Sequence, residues 1–175
     1  MLSTLLVVIS LTAGLGQQGP AKTTLPGATN VTRVDAVLMC GGATTTEAFP
    51  SLKKEGFVSV INLRQADEAG ADIPGSRSAA ETAGLRYIHI PVNGRNPDPA
   101  SADAFLAAVT DKKNQPAYVH CASANRVAAM WMIKRMVVDG WDAARATEEA
   151  TAIGLTSAPL KQFALDYAAK HPRKQ

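Results

Sequence analysis

Four short runs rich in β-branched and aromatic residues, VDAVLMC (34–40), FVSVINL (57–63), RYIHIPV (86–92) and AYVHC (117–121), recur along the chain. The segments between them, TTEAFPSLKKEG, SAAETAG and SADAFLAAVTDKK, have helical composition. Strands that alternate with helices pack as a largely parallel sheet with helices on its faces. The expected fold class is α/β, a three-layer sandwich around a mostly parallel sheet of four to five strands. Phe105, Leu106 and Val109 share one face of the third helical segment, and Leu160, Phe163, Ala164 and Tyr167 share one face of the last. Both faces read as core.

The junction after the fourth run, HCASANRV (120–127), concentrates the chemistry. The following VAAMWMIKRMVV is apolar nearly all round until Lys134 and Arg135, which predicts a helix buried in the middle of the domain. Ala122, Ser123, Ala124 and Asn125 are small or polar and leave the backbone amides unscreened. A loop at the carboxyl end of a parallel strand, leading into a helix, is where open α/β sheets bind ligands. Amides at a helix N-terminus attract anions. They also lower the pKa of a thiol placed there from about 8.5 toward neutrality. Arg126 can offer its planar fork to two oxygens of a phosphate. Nucleophile, amide cradle and arginine together read as a covalent-catalysis site with Cys121 as nucleophile. The plainer alternative is an ordinary buried cysteine and an exposed arginine at a helix start.

With 46% hydrophobic and 19% charged residues in 175, the chain has the length and composition of one domain. Residues 1–16, MLSTLLVVISLTAGLG, carry no charge, and their apolar stretch is too short to span a bilayer. They read as a cleaved secretory signal, with an uncleaved anchor as the alternative, and imply export to the periplasm or medium without a stable membrane span. Residues 17–33 read as a flexible lead-in, 34–170 as the domain and 171–175 as a tail. A net charge of +3, without a stripe of basic residues interleaved with aromatics, argues against nucleic acid as a partner. Two cysteines, Cys40 and Cys121, leave open a bond that forms and breaks between them. Together with three scattered histidines, they show no metal-ligand spacing.

HCASANR resembles the signature of the cysteine-dependent protein tyrosine and dual-specificity phosphatases, in which His-Cys opens a phosphate-binding loop closed by Arg. It is closer to the bacterial tyrosine-phosphatase-like domain also found in beta-lactamase-hydrolase-like proteins, whose shorter loop reads Cys-x-Ser-Gly-x-Arg; Cys121, Ser123 and Arg126 match it. The likeness extends through CGGATTTEAFPSLKKEGFVSVINLRQADE and IHIPV, from about Val34 to Leu155. It implies that Cys121 attacks phosphorus to give a phosphocysteine while Arg126 and the amides of residues 122–125 hold the oxygens. The substrate would be a phosphorylated protein or a small phosphate ester, and no metal or organic cofactor is required.

The resemblance also gives supporting roles. Ser123 would hydrogen-bond the thiolate or act as a turn residue. His120 would orient the loop through its ring or be a satisfied core histidine. Arg64 and Asp67 would shape the rim or form a surface ion pair. Three departures stand out. Ala124 replaces the loop glycine, which disfavours a positive φ there. Val127 stands where longer loops carry Ser or Thr to assist the leaving sulfur. The general acid, commonly an Asp after the preceding strand, falls nearer Gly94. Asp98 is the only acid in PVNGRNPDP, and serves either as that acid or as a turn residue before the helix. The four-residue spacing between Cys121 and Arg126 also occurs in rhodanese-like sulfurtransferases, which makes sulfur transfer through a Cys121 persulfide the competing chemistry. A non-catalytic oxyanion-binding module is the third reading.

Overall fold

The computed structural model describes residues 19–172. The leader reading of residues 1–16 and the last three residues of the tail therefore lie outside the described residues. Six strands form one sheet in the order β1-β2-β3-β6-β4-β5. Four of them, β3 (Leu38–Gly41), β4 (Ser59–Asn62), β5 (Arg86–His89) and β6 (Ala117–His120), run parallel, and each lies within one of the four runs singled out in the sequence, apart from Gly41. The sheet thus has more strands than the four to five expected. The additional ones, β1 (Ala21–Lys22) and β2 (Thr32–Arg33), pair antiparallel with each other and onto β3.

These two strands correct the reading of residues 17–33 as a flexible lead-in. Each is only two residues long, too short to produce a periodic pattern, and what holds them is tertiary. Lys22 Nζ donates to Asn30 Oδ1 at 2.7 Å, to Thr32 Oγ1 at 3.0 Å and to the Ile153 carbonyl at 3.0 Å.

Alternation along the strands sorts side chains to two faces. Leu38, Cys40, Ile61, Ala117 and Val119 enter a core covered by α3 (Pro99–Thr110), α4 (Asn125–Val137), α5 (Ala143–Ile153) and α6 (Ala158–Lys170). Met39, Val60 and Tyr118 point the other way, into a smaller core covered by α1 (Ala48–Lys54) and α2 (Ile73–Thr82). The result is the expected three-layer sandwich. Phe105, Val109, Leu160, Ala164 and Tyr167 are buried as read, with Leu106 and Phe163 half-buried at the margin. Helices α2, α3, α5 and α6 start where the chain supplies a side-chain cap. Asp72, Asp98, Asp142 and Ser157 each accept a backbone N–H of the first turn.

Helix α4 is buried along nine of its thirteen residues, including Arg135. That buried cation is satisfied on every side. Its Nε and Nη2 donate to Glu149 at 2.7 and 2.9 Å, Nη2 also to Asp35 at 3.0 Å, and Nη1 to Asp139 at 2.9 Å. Its guanidinium carbon lies 4.8 Å from the Trp131 ring and 4.4 Å from the Trp141 ring. The cluster ties α4, α5 and the turn before β3 together. Removing one partner strands a buried charge, so Glu149→Ala should destabilise the fold by about 3–5 kcal/mol in urea denaturation. A loss below about 1 kcal/mol would show that the cluster is solvated rather than structural.

Candidate active site

β6 ends at His120, and the chain turns through residues 121–124 into α4. Cys121 is fully buried at this point, and its N–H donates to the Gly41 carbonyl at 3.3 Å. Among the described residues, the amides of residues 122–127 donate to no backbone or side-chain oxygen. Six consecutive N–H groups at a helix start form an anion cradle. Neighbouring segments hold the turn in shape. Asn30 Nδ2 donates to the Ser123 carbonyl at 3.1 Å. Asn125 Oδ1 accepts from the amides of Thr156 and Ser157 at 2.7 and 2.9 Å, which fastens the loop to the α5–α6 connection. Gly42 permits the close approach of the β3 loop, since a Cβ there would meet Ala122 O at 3.2 Å and Thr29 Oγ1 at 2.7 Å.

Ala124 adopts the left-handed conformation, φ 73° and ψ −10°, so the turn needs here what a glycine would supply without strain. An L-residue in this region costs about 1–2 kcal/mol. The Ala124 methyl is fully buried and offsets part of that.

Arg126 is buried, and its guanidinium ties the start of α4 to two loops. Nη1 donates to the carbonyl of Leu63 at 3.2 Å, after β4, and to that of Val92 at 3.0 Å, after β5. Glu68 completes the set, accepting from Nη1 and, at 2.8 Å, from Nη2. Gly94 lies against the aliphatic stem, where an added Cβ would sit 3.7 Å from Cγ and Cδ. Hydrogen bonding to Arg126 outweighs partial burial and holds the Glu68 carboxyl down at about 2. For Arg126 itself, burial works against the charge, but Glu68 and the nearby Cys121 sulfur more than offset it and raise its pKa.

Arg64 is also buried, and its carboxylate partner is Glu68, at 3.3 Å from Nε, rather than Asp67. Its remaining donors go to the carbonyls of Ala69 and Gly70. It stands behind the site and not on a solvated rim. The Glu68 carboxylate is the residue that sequence reasoning passed over. Its only signal was membership of an acidic pair after VINLR, and its partner lies 58 positions away.

His120 is buried and stacked on Tyr118 with ring centroids 6.0 Å apart. Burial lowers its pKa to about 3, so the ring is neutral. The Cys121 backbone is a polar neighbour, yet neither ring nitrogen completes a hydrogen bond among the described residues, and the structure gives no loop-orienting bond through the ring. Ser123 is exposed, and its hydroxyl meets Asn125 Nδ2 at 3.5 Å. Val127 is fully buried behind the loop. Asp98 is exposed at the N-cap of α3, with Oδ1 accepting the Ala100 N–H at 2.9 Å. Cys40, in β3, and Cys121, just past the end of the neighbouring β6, are free thiols, and burial pushes Cys40 up to about 12.

A thiol and an arginine separated by four residues, across an open amide turn at the end of a central parallel strand, define a phosphatase-like domain of the cysteine-dependent type. The comparisons agree. Residues 21–165 match the model of the DSP-PTPase phosphatase fused to NAD+ kinase, and the chain belongs to that family. It is 32% identical over 104 residues to a beta-lactamase hydrolase-like protein of Agrobacterium fabrum; the match covers 58% of this chain and 24% of that relative, so the chain spans about a quarter of its length. The fold is similar to that of a DUF442 protein from Shewanella putrefaciens, with TM-score 0.71 and 26% identity over 84% of this chain and 94% of the other. It is also similar to P. aeruginosa TpbA, with TM-score 0.65 and 20% identity over 91% and 92% of the two chains.

Two outcomes test this geometry. Because folding lowers the Glu68 pKa from 4.5 to about 2, its ionic contribution is complete above pH 4.5 and is lost as the pH falls through about 2. The urea midpoints of the wild type and Glu68→Gln should therefore differ by a constant amount at neutral pH and converge below pH 4.5. A pH-independent difference would contradict the pairing. At the turn, Ala124→Gly should stay within about 1 kcal/mol of the wild type, whereas Ala124→Val should lose about 2 kcal/mol or more, since a β-branched side chain is excluded from this region.

Proposed function

We propose that this protein is a phosphatase that hydrolyses a phosphate monoester through a phosphocysteine intermediate on Cys121. The observation that carries the reading is the pairing of six open amides with a buried, carboxylate-held Arg126 around a single thiol. Cys121 Sγ attacks phosphorus in line with the leaving oxygen, the S–P bond forms as the P–O bond breaks, and water then attacks phosphorus to release inorganic phosphate and the thiolate. The amides and Arg126 stabilise the charge on the transferring oxygens, which is where catalysis of phosphoryl transfer is concentrated. Membership of a phosphatase family supports the reaction class. The P. aeruginosa relative solved with phosphotyrosine supports a phosphorylated substrate for this fold. A phosphorylated protein and a small phosphate ester both fit the cradle. Export, through removal of residues 1–16, belongs to the same proposal and is read by sequencing the N-terminus of the protein recovered from its native cells.

Asp98 is our proposed proton donor to the leaving oxygen, in addition to its capping bond. Asparagine caps a helix as well as aspartate but cannot donate an acidic proton. Asp98→Asn should keep its stability and its rate on p-nitrophenyl phosphate, whose leaving group needs no proton, yet lose roughly tenfold or more on an alkyl phosphate. Equal rates on both substrates would remove Asp98 from the mechanism.

The primary test is phosphate release from an aryl phosphate by the reduced protein and by Cys121→Ser. Turnover should vanish in the variant. Equal release from both would refute the phosphatase reading, and turnover of thiosulfate instead would establish sulfur transfer.

A further inference from the structure

A guanidinium presents two flat edges to acceptors, an end edge formed by Nη1 and Nη2 and a side edge formed by Nε and Nη2. In Arg126 the end edge is taken by Glu68, with one carboxylate oxygen on Nη1 and the other on Nη2 at 2.8 Å. Nη1 is committed further to the Leu63 and Val92 carbonyls at 3.2 and 3.0 Å. Among the described residues Nε makes no hydrogen bond, and one proton of Nη2 remains. Those two protons lie together on the side edge, spaced for two oxygens of a tetrahedral oxyanion. The nearby Cys121 sulfur favours the charge on this guanidinium.

Glu68 is itself held from behind. Arg64 Nε donates to its Oε2 at 3.3 Å, and the Gln65 amide donates to Oε1 at 2.8 Å. The Arg64 guanidinium also binds the carbonyls of Ala69 and Gly70, which closes the β4 loop around the carboxylate, and His89 Nε2 meets the Arg64 carbonyl at 2.8 Å. Such a carboxylate is fixed by groups other than the arginine it grips.

We infer that Glu68 is the positioning residue of this site: by occupying the end edge of Arg126 it turns the side edge toward the phosphoryl group held over Cys121. The inference rests on the phosphatase reading and assigns a role to a residue that the loop motif does not contain. It opposes a simpler view, in which the carboxylate stands where the phosphate must bind and acts as an internal competitor. The two views differ in sign. A competitor, once removed, leaves a better anion site, whereas a positioning group leaves a worse one.

The experiment compares the full chain with Glu68→Gln and Glu68→Ala. It measures kcat and KM on p-nitrophenyl phosphate and Ki for inorganic phosphate as a competitive inhibitor. Glu68→Gln should weaken Ki by roughly tenfold, the worth of one net hydrogen bond. It should also lower kcat/KM by about 100-fold, as expected when a reacting group is displaced by about 1 Å. Glu68→Ala should lose at least as much. Ki is a property of the folded molecules alone, so partial unfolding lowers apparent kcat and leaves Ki where it was. A Ki that is unchanged or tighter in both variants overturns the inference while leaving the phosphatase reading intact. A wild type that shows no Cys121-dependent turnover removes that reading first, and the inference with it.

Discussion

A buried guanidinium has to find acceptors, and Arg126 finds them on the two loops that follow β4 and β5. Its bonds to Leu63, Glu68 and Val92 draw the segments after β4 and β5 onto the start of α4. The same contacts place the end of β6, with Cys121, beneath them. Leaving such a charge unpaired costs several kcal/mol, so the loops that form the site are held by the requirement that Arg126 be satisfied. The geometry of the site and its local stability therefore depend on the same hydrogen bonds.

The sheet makes that convergence possible. Since β6 lies between β3 and β4, the turn after it is flanked by the loop of Gly42 on one side and by that of Leu63 to Gly70 on the other. Helix α4 anchors the turn from below, and its own buried cation, Arg135, is neutralised by Glu149, Asp35 and Asp139. The two arginines of α4 follow the same rule, one at the site and one at the far end of the helix. The strain at Ala124 is tolerated because the residues on both sides are tied down, Ser123 by Asn30 and Asn125 by the Thr156 and Ser157 amides.

Much of this was legible in the residues. Of the parallel strands, β3, β4 and β6 were visible as short apolar runs because they are buried on both faces, the edge strand β5 through its Tyr and Ile, and α4 because its apolar residues cover its whole circumference. The reading of Ala124 as an uncomfortable replacement for glycine corresponds to a measurable φ of 73°. What the sequence concealed is held by long-range contacts. Strands β1 and β2 exist through Lys22 and the edge of β3, and two-residue strands carry no period. Glu68 and Arg126 meet across 58 positions, so neither residue type nor local spacing marks the pair, and Arg64 read as a rim residue because its partner was sought in the neighbouring Asp67. Asp98 was legible in both of its readings, and its capping bond to Ala100 is the one that geometry displays.

The central claim is that Cys121 carries the phosphoryl group during turnover. The most direct measurement is acid quenching of the protein during hydrolysis of an aryl phosphate, followed by mass spectrometry of its peptides. The account predicts one phosphoryl group on the peptide containing Cys121, appearing at the rate of the first leaving-group release and absent without substrate. Turnover with that peptide unmodified, or with the phosphoryl group on any other residue, would contradict it.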